Sequence, residues 1–440
     1  MARNDRFHSE ILIVGAGAFG TSTAFHLANN NENPAGVTVL DRAPVPSPQA
    51  ASTDINKIVR TDYSSAFYMD LAYDALSAWE TWPLLKLYFH RTGWVMLDEK
   101  TSDLAERIRS NFKSSGKPDP SQDISLEEIR TKWGGIFKDI DTTEYSKAYV
   151  NPSSGWVDAS LAVKVMMQDA IAKGVRFEVG EVADLLTSGQ GMEGVRTADG
   201  RVYTANRVLL ATGAWTPWLM APLEEALKIA YKDSIDRQIF ATGVCTSTFK
   251  LSQQEAEYYR QMPILIYGGR GEVMPPNRDR LFKFTNANTF KNTEKHPSGR
   301  GISVPPFQDQ SLVPAKLKQE SIGIIRQRVP RIFDGGREVD EWRLCWDAVS
   351  PDQNWLLTQH PDPRLSNLYL AAGGSLHSWK FLPTVGTYIM NVLNGKSNGQ
   401  EKDKAWKWKR EWSGQGAHET AMPKGELRDF EDTARPTAGP

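Results

Sequence analysis

The chain has only two cysteines among its 440 residues, Cys245 and Cys345. Two cysteines exclude a disulfide framework, although spacing alone leaves a single bond open, and such low use is typical of a reducing intracellular compartment. Charge of one sign is also lacking: the formal net charge is −1, which gives no indication of nucleic acid or an anionic membrane as a partner. Long hydrophobic runs are missing too, so neither a membrane span nor a secretory signal is predicted. Since the ending TAGP does not match the SKL-type peroxisomal signal, the sequence favours a cytoplasmic protein and leaves a peroxisomal location open.

The pattern along the chain predicts more than one structural unit. A length of 440 residues exceeds an ordinary domain, and a hydrophobic content of 40% is enough for a large core. Residues 10–14 and 37–41 are predicted strands on either side of a helical pattern, which is typical of a β-α-β unit. A later helix is predicted for residues 310–333. The irregular pattern of residues 225–330 indicates strands and turns of an inserted substrate domain.

A glycine loop follows the first predicted strand. Gly15, Gly17 and Gly20 in ILIVGAGAFG open the helix, and Asp41 ends the second strand. In this context the spacing is a dinucleotide fingerprint, because the glycines let the backbone approach a pyrophosphate and the acidic residue accepts from ribose hydroxyls. The alternative is a tight strand-to-helix turn without a ligand. FAD and NAD both fit, but the segment RVLLATGAWTPWL resembles the second nucleotide-contacting segment of FAD-dependent oxidoreductases and favours FAD.

Cys345 begins a run of motifs in the C-terminal part of the chain. CWDAVSPD, WLLTQHP and AAGGSLHSWKFLPTVG follow one another in an order that resembles the monomeric sarcosine oxidase family and, within it, the fungal fructosyl amino acid oxidases (amadoriases). The glycine loop, VTVLDRAPVPS, DINKIVR and AWKW extend the resemblance over nearly the full chain. The resemblance implies an α/β fold in which a Rossmann-type FAD-binding domain, glutathione-reductase-like and of the DAO type, carries a second, antiparallel-sheet substrate domain. It also implies a monomer.

The same resemblance implies how the chain is divided. The FAD-binding domain would be discontinuous, two insertions would form the substrate domain, and a tail would follow. The expected ranges are 1–90, 150–225 and 335–400 for the FAD-binding domain, 91–149 and 226–334 for the substrate domain, and 401–440 for the tail.

By the same resemblance, Cys345 carries FAD covalently, through a thioether at the flavin 8-methyl group. The alternative, from composition alone, is that Cys345 is a small buried hydrophobic residue, which is also our interpretation of Cys245. The resemblance places the glycine-rich turn and two lysines beside the cofactor as well: Gly373, Gly374, Lys57 and Lys380.

Further charged residues are implied to act on oxygen and substrate. Lys283 in LFKFTN would activate O2, since a fixed cation stabilises developing superoxide, and Lys57 would be the second catalytic residue. Lys380 would bind the substrate carboxylate at the N-terminus of the last helix. The alternative for each of these charges is a solvated side chain. The other implied substrate-binding residues are Asp54, Arg60, Tyr63 and Arg109.

The pattern departs from the amadoriases where substrate contact is expected. Four residues after Lys283, amadoriases carry a glutamate that holds the sugar, and this chain has Ala287 there. The expected function is an FAD-dependent oxidase of a secondary amine on an N-substituted or glycated amino acid, which yields an imine and, from O2, hydrogen peroxide. Saccharopine, pipecolate or an N-methyl amino acid is the second choice of substrate. A dehydrogenase that does not use O2 and an inactive flavin-binding protein stay open as alternatives, and no metal site is predicted.

Overall fold

The structure is a computed structural model that describes residues 6–30, 33–189, 191–412 and 422–431. The strands are, in chain order, β1 Arg6–Val14, β2 Val37–Asp41, β3 Lys57–Val59, β4 Phe89–His90, β5 Trp94–Glu99, β6 Gln122–Asp123, β7 Tyr145–Asn151, β8 Gly155–Val157, β9 Arg176–Val179, β10 Val182–Ser188, β11 Gly191–Thr197, β12 Val202–Leu210, β13 Phe240–Lys250, β14 Ile264–Tyr267, β15 Gly271–Val273, β16 Leu281–Lys291, β17 Thr293–Lys295, β18 Gly301–Ser303, β19 Glu341–Val349, β20 Leu356–Gln359, β21 Leu368–Ala372 and β22 Gly425–Glu426. The α-helices are α1 Ala18–Asn30, α2 Ala66–Thr81, α3 Leu104–Ser114, α4 Leu126–Thr131, α5 Ala159–Ala172, α6 Thr216–Ala226, α7 Gln253–Tyr259, α8 Ala315–Arg328, α9 Val385–Leu393 and α10 Gln400–Trp406.

The first large sheet joins distant parts of the chain around β1. Its order is β10-β11-β12-β1-β2-β9, and β21 and β20 continue from the second half of β12. β1 pairs in parallel with β2 and β12, and α1 packs against α5 and α9. Ile11 and Ile13 enter one hydrophobic cluster while Leu12 and Val14 enter another, because both faces of a parallel sheet are covered. The predicted β-α-β unit and the α/β fold are confirmed.

The second large sheet is predominantly antiparallel. Its order is β19-β13-β16-β15-β14-β5-β7-β6, with β14 and β5 as a parallel pair. β13 is central to one half of the sheet, since it pairs along most of its length with β16 on one side and β19 on the other. Two smaller sheets, β3-β8-β4 and β17-β18, complete the strands. The expected antiparallel-sheet region is therefore present beside the Rossmann-type sheet.

Strand β19 belongs to the second sheet, although it lies within residues 335–400, which are expected in the FAD-binding domain. It pairs with β13 from Phe240↔Val349 to Thr248↔Glu341, and the domain bounds stay a prediction. The strands β20 and β21 that follow it belong to the first sheet. The pairing partner of a strand lies far away in sequence, so motif order alone did not reveal the crossover.

The expected tail, residues 401–440, is partly built into the fold. α10 places Trp406 against Trp355 with ring centroids 4.9 Å apart, and β22 pairs with the end of β16. Phe430 contacts Phe290 at a centroid distance of 5.6 Å. Residues 413–421 and 432–440 of that range lie outside the described residues.

The helix predicted for residues 310–333 is shorter than expected. α8 begins at Ala315, directly after its N-cap Pro314, and ends at Arg328. Pro330 then starts a separate 3-10 turn, because proline lacks the amide hydrogen that would continue the helix. Within the described ranges no helix is long and apolar enough to cross a membrane.

Candidate active site

A cavity of about 690 Å³ is lined by both large sheets. Its wall includes the glycine loop, the ends of β2, β12 and β21, and residues of β15, β16 and β19. The ends concerned are the carboxyl ends of the parallel strands, where open α/β sheets bind their ligands. The predicted residues found in this wall are Gly15, Gly17, Asp41, Asp54, Lys57, Lys283, Cys345, Gly373 and Gly374. All predicted residues lie in the described part of the chain, and those that do not line the cavity are Gly20, Arg60, Tyr63, Arg109 and Lys380.

The glycine loop is shaped by close backbone contacts. Gly15 has φ +101°, and a Cβ there would lie 2.5 Å from the carbonyl oxygen of Ala211. A Cβ on Gly20 would lie 1.9 Å from the carbonyl oxygen of Gly15, so this glycine lets α1 pack onto the loop. The Asp41 carboxylate accepts hydrogen bonds from the backbone N–H groups of Ala16 at 2.7 Å and Ala43 at 3.1 Å. Asp41 therefore ties the end of β2 to the loop while it also lines the cavity.

The residues around the loop fit a dinucleotide. Ser52 Oγ is buried in the cavity wall and has no hydrogen-bond partner within the described part of the chain. The nearest atom to a Cβ on Gly17 would be that same oxygen at 3.5 Å, and a Cβ on Gly213 would meet nothing within 4 Å. A bound phosphate or sugar requires backbone that faces open space and a buried hydroxyl that is free to form a hydrogen bond, and both are present here.

Cys345 and Cys245 occupy different places although they lie on neighbouring strands. Cys345 lies on β19 opposite Val244 and is 5% exposed at the cavity wall. Cys245 is buried in a hydrophobic cluster away from the wall, and burial raises the pKa of its thiol to about 12. Only Cys345 is thus placed where its sulfur could meet a cofactor.

Asp347 lies two residues after Cys345 and also lines the cavity, although the sequence did not single it out. Its carboxylate accepts from the backbone N–H groups of Ala348 and Leu376, both at 2.8 Å. Burial raises the pKa of Asp347. A Cβ on Gly374 would come within 2.9 Å of this carboxylate, which explains the small residue in the turn. Asp347 therefore fixes the glycine-rich turn against β19.

A buried carboxylate joins two lysines at the cavity. Asp54 Oδ2 lies 2.8 Å from Lys283 Nζ and 2.8 Å from Lys57 Nζ. Lys283 also donates to the carbonyl oxygen of Asn56 at 2.9 Å. Burial opposes ionisation of Asp54, but the two ammonium groups outweigh it and hold the pKa of Asp54 well below its usual range. The triad itself carries one excess positive charge, and the Glu272 carboxylate in the same cavity wall acts on both of its lysines.

The two lysines of this triad respond differently to their surroundings. Burial lowers the pKa of Lys283, despite the opposing charge of Asp54. Burial also acts to lower the pKa of Lys57, but there the Asp54 carboxylate prevails and the pKa is raised. The side chain of Lys283 is 3% exposed, so it presents a dry ammonium to the cavity.

Arg60, Tyr63 and Lys380 form a second cationic cluster beside the cavity. Lys380 Nζ donates to Tyr63 Oη at 2.8 Å and to the carbonyl oxygen of His377 at 2.5 Å. The guanidinium carbon of Arg60 lies 4.8 Å from the centroid of the same tyrosine ring and 4.5 Å from that of Trp94. Burial, and then the charge of Arg60, lower the pKa of Lys380 well below its usual value.

Lys380 does not open the last helix as expected. It lies in the 3-10 turn Trp379–Phe381, and α9 begins only at Val385. Its ammonium is held by an oxygen of the turn and by a phenol from another part of the chain. The role predicted for Lys380 stays a prediction.

Arg109 lies apart from both clusters. It is on α3, where its guanidinium donates to Ser121 Oγ at 3.0 Å and forms an ion pair with Asp123. The substrate-binding role predicted for it stays a prediction.

Glu272 is a second residue of the cavity that the sequence did not single out. It lies on β15 directly opposite Thr285 of β16, and the hydroxyl of Thr285 donates to Glu272 Oε1 at 3.3 Å. β15 has three residues and follows a turn, so no periodicity or motif marks this side chain. Strand pairing alone brings it to the cavity.

Three features are those of an FAD-dependent oxidoreductase: the glycine loop, the segment formed by Ala211, Thr212 and Gly213, and the cavity lined by both sheets. The chain matches the family model described as DAO, FAD dependent oxidoreductase, over residues 10–391, and it belongs to this family. The family assignment supports FAD as the cofactor.

Comparison with individual proteins places the chain among oxidases of amino acid derivatives. It is 28% identical to L-saccharopine oxidase from Schizosaccharomyces pombe, over 91% of this chain and 93% of that protein. It is 23% identical to monomeric sarcosine oxidase from Bacillus sp., with 89% and 93% covered. Among solved structures, amadoriase II from Aspergillus fumigatus is 25% identical with a TM-score of 0.82 and covers 97% of each chain. The resemblance to sarcosine oxidases and amadoriases expected from the motifs is confirmed.

Proposed function

We propose that this protein is an FAD-dependent oxidase that converts a secondary amine on an amino acid to an imine and passes the electrons to O2. The observation that carries the proposal is the single cavity wall that holds the glycine loop, Cys345 and the Lys283–Asp54–Lys57 triad together. The curated relatives named as saccharopine, sarcosine and amino acid oxidases support this reaction class.

Each group in the wall has a proposed task. FAD, when bound, accepts a hydride from the carbon next to the amine nitrogen. Cys345 would hold the cofactor through a thioether, since it lines the cavity and Cys245 does not. Lys283 provides a fixed positive charge where O2 is reduced, and no reorganisation is needed since Asp54 and the Asn56 carbonyl already hold it. Lys57 stabilises the ionised Asp54 that holds Lys283 in place.

Arg60 and Lys380 are proposed to hold the substrate carboxylate. Both cations contact the Tyr63 ring, and Arg60 Nη1 is buried without a hydrogen-bond partner in the described residues. The unpaired Arg60 Nη1 favours an incoming anion, because the buried Asp62 carboxylate offsets only part of the two positive charges. A carboxylate is the anion that every amino acid substrate brings.

The substrate is proposed to be an N-alkylated amino acid in preference to a glycated one. Ala287 lines the cavity at the position where amadoriases carry a sugar-binding glutamate. The relative named L-saccharopine oxidase covers 91% of this chain, which supports a substrate with two amino acid parts. Action as a monomer in the cytoplasm stays a prediction from the sequence.

Anaerobic flavin reduction followed by admission of air tests the reaction class. The substrates to compare are saccharopine, pipecolate, sarcosine and fructosyl-valine. We expect at least one N-alkylated amino acid to bleach the flavin, and air to restore its colour within seconds with release of one equivalent of hydrogen peroxide. Bleaching that air does not reverse would instead identify a dehydrogenase, and a flavin that no secondary amine reduces would contradict the proposal.

A further inference from the structure

Glu272 and the active-site lysine lie on one face of the second sheet. Lys283, Thr285 and Ala287 alternate along β16 and all line the cavity, as side chains two residues apart share one face of a strand. Glu272 is paired with Thr285 across β15 and β16 and lines the same cavity. Glu272 is therefore the diagonal neighbour of both Lys283 and Ala287, and its Cα atom lies roughly 7–8 Å from each of theirs.

The carboxylate of Glu272 has no cation of its own among the described residues. The contact found is the Thr285 hydroxyl at 3.3 Å, and no described Lys, Arg or His nitrogen comes within 4.0 Å to form a salt bridge. Lys283 and Lys57 are both engaged by Asp54. Lys57, Lys283 and Lys380 act on Glu272 through space without contacting it, so this half-buried carboxylate with one neutral donor keeps acceptor capacity for a ligand.

Glu272 also lies far from the proposed cofactor link. Cys345 is on β19 and Glu272 on β15, and β13 and β16 lie between them. Three strand spacings correspond to about 14 Å along the sheet. The cavity thus extends well beyond the proposed link, as far as Glu272.

We infer that Glu272 determines substrate specificity by binding a second, positively charged group of the substrate. The substrate class is then a secondary amine on an amino acid that carries an additional ammonium group. This inference rests on the proposed function. An ammonium group would supply charge-assisted hydrogen bonds and a direct ion pair, which no described residue makes with this carboxylate, whereas the hydroxyls of a sugar would supply neutral hydrogen bonds alone.

Two matched substrate pairs test the inference. Nα-methyl-lysine and Nα-methyl-norleucine differ only in the terminal amine, and saccharopine is compared with its analogue that lacks the primary amine. We expect the unmodified enzyme to prefer the ammonium-bearing member of at least one pair by tenfold or more in kcat/KM. Equal kcat/KM values within both pairs would overturn the inference without any variant.

The variant Glu272→Gln assigns the preference to this carboxylate. It keeps the shape and the contact with Thr285, so we expect a tenfold or larger fall in kcat/KM for the preferred cationic substrate and less than a twofold change for its neutral partner. Glu225→Gln, at an exposed position that borders the same cavity, is the matched control. If Glu272→Gln lowers kcat/KM equally for both members of a pair, or lowers it for fructosyl-valine alone, Glu272 does not bind the ammonium group of the substrate.

The inference and the proposed function fail in different ways. If no secondary amine reduces the flavin of the unmodified enzyme, the proposed function is wrong. If secondary amines do reduce it but the cationic and neutral partners behave alike in the enzyme and in Glu272→Gln, only the role of Glu272 is wrong. Flavin absorbance and the melting temperature of Glu272→Gln, expected to match the unmodified enzyme, confirm that the site is intact.

Discussion

At the scale of single residues, the two cysteines provide an internal comparison. Cys345 lines the cavity and Cys245 is enclosed in a hydrophobic cluster. We expect flavin to stay with the denatured protein in the Cys245→Ala variant and to be released from the Cys345→Ala variant. Intact mass measured after denaturation checks this, because the unmodified protein should be heavier than its polypeptide by about one FAD.

A Cys345→Ala protein that still carries flavin after denaturation would contradict the link. Folding is checked separately by circular dichroism, since removal of one small buried side chain should cost little stability. Release of flavin from both variants would show that neither sulfur forms the bond.

Lys283 is the residue on which the oxidase reaction should depend most. We expect Lys283→Met to leave flavin reduction by substrate nearly unchanged and to slow reoxidation by O2 by about 100-fold or more, the scale seen when one preorganised charge or donor is removed. Asp54 keeps Lys57 as its partner in this variant, so its charge stays compensated. Stopped-flow absorbance of the flavin measures both half-reactions separately.

Lys291→Met is the matched control for the oxygen reaction, because Lys291 lies on the same strand and outside the cavity wall. Reoxidation of Lys283→Met at the rate of this control would remove Lys283 from the mechanism. If Lys283→Met instead slows only the reduction of the flavin by substrate, Lys283 acts on the substrate and not on O2.

Motifs revealed the residues whose role depends on neighbours in sequence. The glycine loop is an example, since Gly20 has to be small because of its close contacts with Gly15 and Ile13. Glu272 and Asp347 were not predicted, because each reaches the cavity only through strand pairing or a distant turn. Residue identity is visible in a sequence, whereas strand register is not.

At the scale of elements, α6 carries a carboxylate whose ionisation should control stability. Glu224 is 1% exposed, accepts from the backbone N–H of Ile235 at 2.7 Å and pairs with Arg300 at 2.8 Å. Burial outweighs these partners and raises the pKa of Glu224 to about 7. Between its usual pKa and pH 7 the folded protein therefore binds more protons than the unfolded chain, so stability falls as pH rises through this range.

We expect the Glu224→Gln variant to lose this part of the pH dependence. Relative to the unmodified protein it should gain up to about 3 kcal/mol between pH 5 and pH 8, because glutamine does not ionise. Urea unfolding at the two pH values measures the difference. The same dependence in both proteins would mean that Arg300 keeps Glu224 ionised in the fold.

The ends of α8 lie beside prolines, and the apolar pattern alone places them too far out. Pro314 and Pro330 enclose α8, yet the apolar pattern runs through both and suggested a longer helix. The strand β19 shows another limit, since only its pairing with β13 assigns it to the second sheet.

At the scale of the whole molecule, α10 packs against aromatic residues from distant parts of the chain. Trp406 of α10 is 1% exposed and contacts the rings of Phe67, Trp355 and Tyr388 at 5.7, 4.9 and 5.1 Å. The same aromatic cluster reaches His377, which contacts Tyr68 at 4.8 Å and hydrogen-bonds Tyr63 beside the active site. A segment expected to be a tail is thus part of the core that supports the catalytic residues.

We expect Trp406→Ala to lower the free energy of unfolding by about 3–5 kcal/mol, because a large buried ring leaves a cavity that the surrounding rings cannot fill. Trp412→Ala, a half-buried residue just beyond α10, should cost less than about 1 kcal/mol. Urea denaturation followed by circular dichroism compares the two. If both variants unfold at the same urea concentration, residues 400–412 contribute no more to the core than a surface segment, and the chain beyond Gly399 behaves as the separate tail that its polar sequence suggests.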